Sequence, residues 1–393
     1  MCAILALSAP WIAEFYAVDE LTLLIQGSSL YFLVIGFKNL HLVRLTRAMK
    51  FSKPKLISSV SMMTGVVVTI LTGLWTRSIW CVIWGGLSHR FVEVVGSHIF
   101  APSGLKLSFN KADFMELFRY GRNIQAIGIL VFLVTQFDNA VIGKLLSMGE
   151  LAVYANAYLL ANLPMTQIVG VASQVAFPAW SKVTREGTVQ ERNTMFLSTL
   201  RLTTALSVAL CLALFVGGAD LIELIFGAKW RDAETPLRIL LIFGLWRGIG
   251  TNFGSLFNAL GKPHIITIEI GIKFLCIALL IYPLTAAYGI IGASLAVVLP
   301  MGLITPIALW IYLGMADVDR RAALHCLWLP AVLGTLIIVV WWWASASGAM
   351  PQSVWIRGLA LPIVALFACA GGCVLFDSKL RRVIGFRSAK INP

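Results

Sequence analysis

Charged side chains are scarce in this sequence. Asp, Glu, Lys and Arg together make up 12% of its 393 residues, whereas soluble domains carry about 25%. A chain of this length with so few charges cannot cover itself with polar surface, and 59% of its residues are hydrophobic. This composition excludes a soluble catalytic domain. It predicts an all-α membrane protein, because a helix satisfies its own backbone hydrogen bonds where lipid offers none.

The sequence also lacks the signatures of catalytic, metal and disulfide sites. It contains no Walker A loop, no HExxH and no GxSxG. Asp317 and Asp319 form a lone DxD in a short basic loop, which is a weak indication of a sugar transferase. The seven cysteines are scattered, and Cys369 and Cys373 are four residues apart rather than in a CxxC pair. We therefore expect no enzymatic activity and no cofactor.

What the sequence does contain is a series of apolar runs, each comparable to the length of about 20 helical residues that crosses a bilayer. We predict about twelve transmembrane helices, at residues 1–17, 21–43, 56–75, 78–100, 117–146, 151–181, 196–217, 234–260, 264–288, 290–314, 324–346 and 355–376. The fifth, sixth and eighth are longer than a bilayer requires, so they must tilt, kink or extend beyond the hydrocarbon.

Basic residues alternate between the two sides of these spans. The loops after even-numbered spans and the C-terminal tail contain 18 Lys and Arg residues, against four in the opposite loops. Because cytoplasmic loops carry such an excess, we expect both termini in the cytosol. The same bias accounts for the net charge of +13, so the charge does not indicate a nucleic-acid partner.

The chain also contains a weak internal repeat. Residues 22–51 (TLLIQGSSLYFLVIGFKNLHLVRLTRAMKF) resemble residues 235–263 (TPLRILLIFGLWRGIGTNFGSLFNALGKP), at an offset of about 213 residues. Since six helices separate the copies, the repeat is parallel, an arrangement found among secondary transporters. We expect three domains: a truncated four-helix bundle at 1–103, a six-helix bundle at 104–316, and two additional helices with a basic tail at 317–393.

The first bundle would then lack the counterparts of spans 5 and 6. The expectation is a twelve-helix remnant of a fourteen-helix plan. A wrong start codon, a truncated gene and a real short form all fit this expectation.

Several spans carry charged residues at membrane depth, where such groups usually face a bundle interior or a wet cavity. Arg247 lies about halfway along span 8, and no acidic residue stands three or four positions away. Its helical face includes Thr251, Gly254 and Asn258. Glu269 and Lys273 in span 9 are spaced for a local ion pair that neutralises itself.

Spans 5 and 6 carry a second group of polar residues. Arg122 and Gln136 would lie near one line along span 5, with extension to the interface as the alternative for Arg122. Asp138 is near the outer end of that span, where solvent would hydrate it. Tyr158 and Asn162 share one face of span 6, which helix packing explains as well as a cavity does.

Two stretches have a recognisable sequence. Residues 136–182 read QFDNAVIGKLLSMGELAVYANAYLLANLPMTQIVGVASQVAFPAWSK, and residues 221–263 contain IFGAKWRDAETPLRILLIFGLWRGIGTNFGSLFNALGKP. Both resemble the Wzx-like oligosaccharide flippases, which are polysaccharide transporters of the multidrug/oligosaccharidyl-lipid/polysaccharide superfamily. The similarity extends roughly from Ile4 to Leu375.

The resemblance implies two six-helix bundles around a central cavity, followed by two C-terminal helices. It implies that an undecaprenyl-pyrophosphate-linked oligosaccharide crosses the bacterial inner membrane by alternating access, for surface polysaccharide biosynthesis. The partners would be that lipid-linked substrate and membrane lipids, with a polysaccharide polymerase and chain-length proteins as candidates. Transport could be coupled to a proton gradient or to a sodium gradient, and the sequence does not distinguish the two. Family members begin with two further helices, one of which lines the cavity.

The resemblance also implies a cationic cavity that receives the anionic head group. The residues that would offer charge to the pyrophosphate are Arg122, Arg201, Arg247 and Lys273. The residues that would offer hydrogen bonds to the sugars are Gln136, Tyr158, Asn162 and Asn258.

Three other functions compete with this one. A multidrug exporter of the same superfamily would be expected to carry acidic residues in its cavity, whereas the charges in mid-span are mostly basic. A membrane glycosyltransferase or polysaccharide polymerase would be expected to have a long outer loop, and every predicted outer loop is short. An inactive truncated transporter would fit the missing pair of helices.

The charge asymmetry predicts the membrane topology directly. Alkaline phosphatase fused after Pro393 should be inactive, because that enzyme folds only in the periplasm and the C-terminal tail is predicted to be cytosolic. A cytosolic reporter at the same position should be active and serves as the control. Phosphatase activity from the fusion would contradict the predicted number of spans.

Overall fold

The computed structural model describes residues 2–39, 41–42, 45, 52–100, 110–164, 166, 188–348, 351 and 353–376. These residues form eleven α-helices whose bounds are described, and they contain no β-strand. The helices are α1 (Cys2–Tyr16), α2 (Glu20–Ile35), α3 (Ser52–Thr76), α4 (Trp80–Phe100), α5 (Lys111–Leu145), α6 (Met148–Ala161), α7 (Val189–Phe226), α8 (Glu234–Ala259), α9 (Pro263–Met315), α10 (Arg320–Ala346) and α11 (Leu361–Phe376).

The chain divides into two compact units, residues 1–118 and 119–393. In the first unit α3 packs along α4, and α2 packs against both α1 and α4. A close backbone approach joins α3 to α4, since a Cβ added to Gly85 would lie 2.8 Å from the carbonyl oxygen of Gly65. Between α2 and α4, the hydroxyl of Tyr31 donates to the carbonyl oxygen of Ile83 at 3.2 Å. Small residues thus bring these helices together, as is common in membranes.

In the second unit α8 is the central helix, and it packs against α6, α7 and α9. The packing is apolar apart from a few polar pairs, such as Asn252 of α8, whose amide donates to Thr203 of α7 at 3.0 Å. The helices α10 and α11 both pack on α7. Arg238 of α8 lies between Phe215 and Trp341, 5.1 and 4.8 Å from the two ring centroids. A cation–π contact therefore connects α10 to the centre of the unit.

The helix α9 is a hairpin of two arms. Glu269 near its start accepts a hydrogen bond from Tyr312 near its end, at 2.8 Å, although a straight helix would separate residues 43 apart by about 65 Å. The reversal occurs at Gly289, whose φ of 57° and ψ of −139° are non-helical. Only glycine adopts this conformation at low cost. The two arms correspond to the separate spans predicted at 264–288 and 290–314.

Seven described segments are long and apolar enough to cross a membrane. They are Ser52–Thr76, Gly128–Leu145, Val189–Phe226, Ala228–Asn258, His264–Met315, Arg320–Ala346 and Ile356–Leu375. Because His264–Met315 folds back on itself, it contributes two helical arms. Over the described residues, each of the predicted spans overlaps a helix or an arm of α9. The prediction of an all-α membrane protein with about twelve helices is therefore confirmed.

Candidate functional site

A cavity of about 310 Å³, with several polar side chains on an otherwise apolar wall, opens between α5, α8 and α9. Its apolar wall comes mainly from α5 and α9. Its main polar lining residues are Arg247, Thr251, Ser255, Asn258, Glu269 and Lys273. Three larger cavities, of about 450, 490 and 530 Å³, lie beside α7 or α10 and are lined mostly by apolar side chains. The smallest of the four therefore has the most charged and hydrogen-bonding side chains on its wall.

One wall of the cavity is a single face of α8. Arg247, Thr251, Gly254 and Asn258 all line it, because the last three lie about one, two and three helical turns after Arg247. The hydroxyl of Thr251 donates back to the carbonyl oxygen of Arg247 at 2.9 Å. The guanidinium of Arg247 and the amide of Asn258 thus lie on one surface, with the space left by Gly254 between them, within the candidate membrane span Ala228–Asn258.

The guanidinium of Arg247 is held by neutral groups from another helix. Its Nη1 donates to Tyr158 Oη at 3.4 Å and to Asn162 Oδ1 at 3.3 Å. Tyr158 belongs to α6, and Asn162 is the residue that caps the end of that helix. Within the part of the chain that the structure describes, Arg247 forms no ion pair. Its positive charge is therefore oriented by hydrogen bonds without being neutralised in place.

A glycine makes this contact possible. At Gly244, one turn before Arg247, an added Cβ would lie 1.9 Å from the carbonyl oxygen of Ala161. No side chain fits in that space, so α8 and α6 approach each other backbone to backbone. This approach places the end of α6, with Tyr158 and Asn162, within reach of the guanidinium.

A buried acid lies near Tyr158. Asp138 of α5 is only 1% exposed, and its Oδ2 accepts a hydrogen bond from the hydroxyl of Tyr154 at 2.6 Å. It is close enough to Arg247 for a coulombic interaction. The interpretation of Asp138 as a solvated residue near the outer end of its span was therefore wrong, because α6 and its Tyr154 cover the carboxylate.

The second cation of the cavity is paired. Lys273, 7% exposed, donates to Glu269 Oε1 one turn earlier on α9, which is the local ion pair that their spacing predicts. The other oxygen, Oε2, accepts from Tyr312 on the second arm of α9. The cavity thus contains one neutralised cation and one cation with neutral partners.

The structure brings five of the eight predicted site residues together. Arg247, Asn258 and Lys273 line the cavity, and Tyr158 and Asn162 bind Arg247. Arg201 is 7% exposed within α7 and is not among the described lining residues. Gln136 is exposed on α5, where it accepts from the side-chain amide of Asn139 at 2.8 Å. The side chain of Arg122 lies outside the described residues.

Sequence patterns did not reveal Tyr154 and Tyr312 as part of this arrangement. Tyr154 precedes Tyr158 by one helical turn, and this periodicity is a signal that both face the same side of α6. Tyr312 is 43 residues from its partner Glu269. No local pattern predicts that contact, because it depends on the reversal of α9.

Comparison with known proteins gives a family for most of the chain. Residues 1–235 match the profile of the family described as "Polysaccharide biosynthesis protein". This match covers more than half of the 393 residues. It includes α1 to α7, and it ends just inside α8.

Curated relatives agree with this family. The chain is 24% identical over 279 residues to the lipopolysaccharide biosynthesis protein WzxC of Escherichia coli (strain K12), covering 70% of this chain and 55% of that protein. It is 24% identical over 275 residues to the teichuronic acid biosynthesis protein TuaB of Bacillus subtilis (strain 168), covering 67% and 54% respectively. The matched region thus spans little more than half the length of each of these relatives.

A solved structure shares the fold. The lipid II flippase MurJ in its inward closed conformation superposes with a TM-score of 0.73, covering 98% of this chain and 81% of that one. The two sequences are only 14% identical, so this likeness concerns the fold alone.

The approach at Gly244 predicts a stability effect. Gly244→Ala should lower the free energy of unfolding by about 1–3 kcal/mol, because the new methyl group meets a carbonyl oxygen that cannot rotate away. Gly254→Ala on the same helix is the matched control, since an added Cβ there has nothing within 4 Å. The thermal unfolding midpoint of each purified variant in detergent measures the difference. Equal midpoints for the two variants would contradict the close packing of α6 on α8.

Proposed function

This chain belongs to the polysaccharide biosynthesis protein family, and on that premise we propose that it is a flippase for a lipid-linked oligosaccharide. The substrate we propose is an undecaprenyl-pyrophosphate-linked oligosaccharide. It would cross the bacterial inner membrane by alternating access, as a step in surface polysaccharide biosynthesis. Both termini would lie in the cytosol.

Two kinds of similarity support this proposal. The names of the Escherichia coli and Bacillus subtilis relatives connect them to lipopolysaccharide and teichuronic acid biosynthesis. The solved structure with the same fold is that of a lipid II flippase. Transport of a saccharide attached to a lipid is an activity consistent both with relatives in polysaccharide biosynthesis and with the fold of a flippase.

The single observation that carries the proposal is the state of Arg247. A guanidinium at membrane depth costs about 3 kcal/mol even on lenient insertion scales. Tyr158 and Asn162 orient this group, but they do not neutralise it. A ligand that offsets such a cost should be anionic. A pyrophosphate fits, because a guanidinium binds phosphate oxygens in a bidentate fork.

The remaining polar residues of the cavity would contact different parts of the ligand. Lys273 would offer a second charge to the pyrophosphate once it separates from Glu269. Asn258, two turns beyond Thr251 along the α8 face, would offer hydrogen bonds to the first sugars, and Tyr158 and Asn162 would offer theirs when Arg247 turns toward the ligand. Arg201 and Gln136 are not among the described residues that line this cavity, and the side chain of Arg122 lies outside the described residues, so the roles of all three stay predictions.

A multidrug exporter is less consistent with the same cavity. Binding of an organic cation would require an available carboxylate. The acid that lines the cavity, Glu269, is engaged by Lys273 and Tyr312. The other buried acid, Asp138, is engaged by Tyr154. The charge left for a ligand is therefore positive.

The proposal is tested by substitution of Arg247 at the chromosomal gene of the host. Arg247→Ala should abolish surface polysaccharide while the protein still inserts, because the head group loses its cationic contact. Arg247→Lys should retain partial activity, since it keeps the charge and loses the fork. Polysaccharide is measured on cell extracts with an antibody or a lectin, normalised to the abundance of the protein.

Arg77→Ala, a change at an exposed residue between α3 and α4, is the control and should leave polysaccharide unchanged. Normal polysaccharide in Arg247→Ala at equal protein abundance would refute the role of this residue. Loss of the protein itself would instead indicate that Arg247 serves packing.

A further inference from the structure

Glu269 is a negative charge on the wall of a cavity that we assign to an anion. Its side chain is 11% exposed, and that of Lys273 is 9% exposed. Both residues line the same cavity as Arg247. An acid at this position weakens the attraction of the cavity for any anion, so its presence requires an explanation beyond charge attraction.

The carboxylate of Glu269 is fixed in place. Each of its oxygens has its own partner, Lys273 on one side and Tyr312 on the other. The ring of Tyr312 is itself immobilised by Phe253 and Phe257 of α8, with centroids 5.8 and 4.9 Å away. If Lys273 turned toward a ligand, Tyr312 would still hold the carboxylate where it is.

The two cations of the cavity are therefore unequal. Arg247 is accessible to a ligand at once, because its side-chain partners among the described residues are a neutral hydroxyl and a neutral amide oxygen. Lys273 is available only to a ligand that competes with Glu269. That competition requires a second anionic group, placed close to the one that binds Arg247.

We propose that Glu269 determines specificity, restricting this cavity to head groups with two linked phosphoryl groups and excluding those with one. This inference rests on the proposed function, in which the cavity receives the anionic head group. A monophosphate would contact Arg247 and be repelled by the fixed carboxylate. A diphosphate would place its second phosphoryl group against Lys273, which would turn away from Glu269 toward the ligand, while Tyr312 keeps Glu269 hydrogen-bonded in place.

The test compares two soluble isoprenoid probes, geranyl diphosphate and geranyl monophosphate. Their dissociation constants are measured by titration calorimetry with the purified full chain in nanodiscs. We expect the unsubstituted protein to bind the diphosphate at least tenfold more tightly. In Glu269→Gln that ratio should fall to about threefold or less, mainly through tighter binding of the monophosphate.

Glu234→Gln is the matched control. Glu234 also pairs with a basic residue four positions later, Arg238, but it is not among the residues that line the cavity. Its substitution should leave the ratio unchanged. Tyr312→Phe is the second variant, because it keeps the charge of Glu269 and removes one of the contacts that fix it. The ratio should fall there as well, by a smaller factor.

The outcomes separate this inference from the proposed function. Suppose that Arg247→Ala weakens binding of the probes, but the ratio of the two dissociation constants is unchanged in both Glu269→Gln and Tyr312→Phe. This result would overturn the role of Glu269 in specificity and leave the proposed function intact. If Glu269→Gln does not fold, the ratio measured in Tyr312→Phe alone tests the role of Glu269: a lower ratio supports it and an unchanged ratio overturns it. Failure of the unsubstituted protein to bind either probe, or binding that neither Arg247→Ala nor Lys273→Ala weakens, would overturn the proposed head-group site itself.

Discussion

The hydrogen bonds from Arg247 to Tyr158 and Asn162 are the interaction on which the candidate site depends. A cation inside a membrane protein needs partners, and lipid supplies none. Here the partners come from the end of α6, which reaches α8 because Gly244 has no side chain. The same face of α8 then presents Thr251 and Asn258 to the cavity. The close contact between two backbones thus sets the position of the charge.

The two acids near this charge follow one physical rule. Asp138 and Glu269 each accept a hydrogen bond from a tyrosine that lies on a different helix or arm, Tyr154 and Tyr312 respectively. A buried carboxylate is costly unless it is hydrogen-bonded. Neither acid forms an ion pair with Arg247, although Asp138 is close enough to interact with it electrostatically. Arg247 therefore remains a cation that a ligand can pair with directly.

Much of the fold follows from the sequence, because the length of each apolar run is a local property. The twelve spans, the break that separates the two arms of α9 and the polar face of α8 were all predictable in this way. The burial of Asp138 was not, since it depends on Tyr154 from the next helix. Nor was the orientation of Gln136 and Arg201, which lie on their helices at positions that spacing alone does not relate to a cavity. Contacts between helices determine which polar side chains meet.

We propose that the cavity beside Arg247 holds the head group of a glycolipid, and site-specific photo-crosslinking can identify the molecule in this cavity. A benzophenone amino acid replaces Thr251, which lines the cavity, in cells whose sugars are radiolabelled. Irradiation should attach a labelled glycolipid to the protein, and Arg247→Ala should prevent it. The same label at Trp342, an exposed residue of α10, should capture only phospholipid. Capture of phospholipid alone at position 251, or capture of glycolipid that persists in Arg247→Ala, would show that the head group does not bind in this cavity.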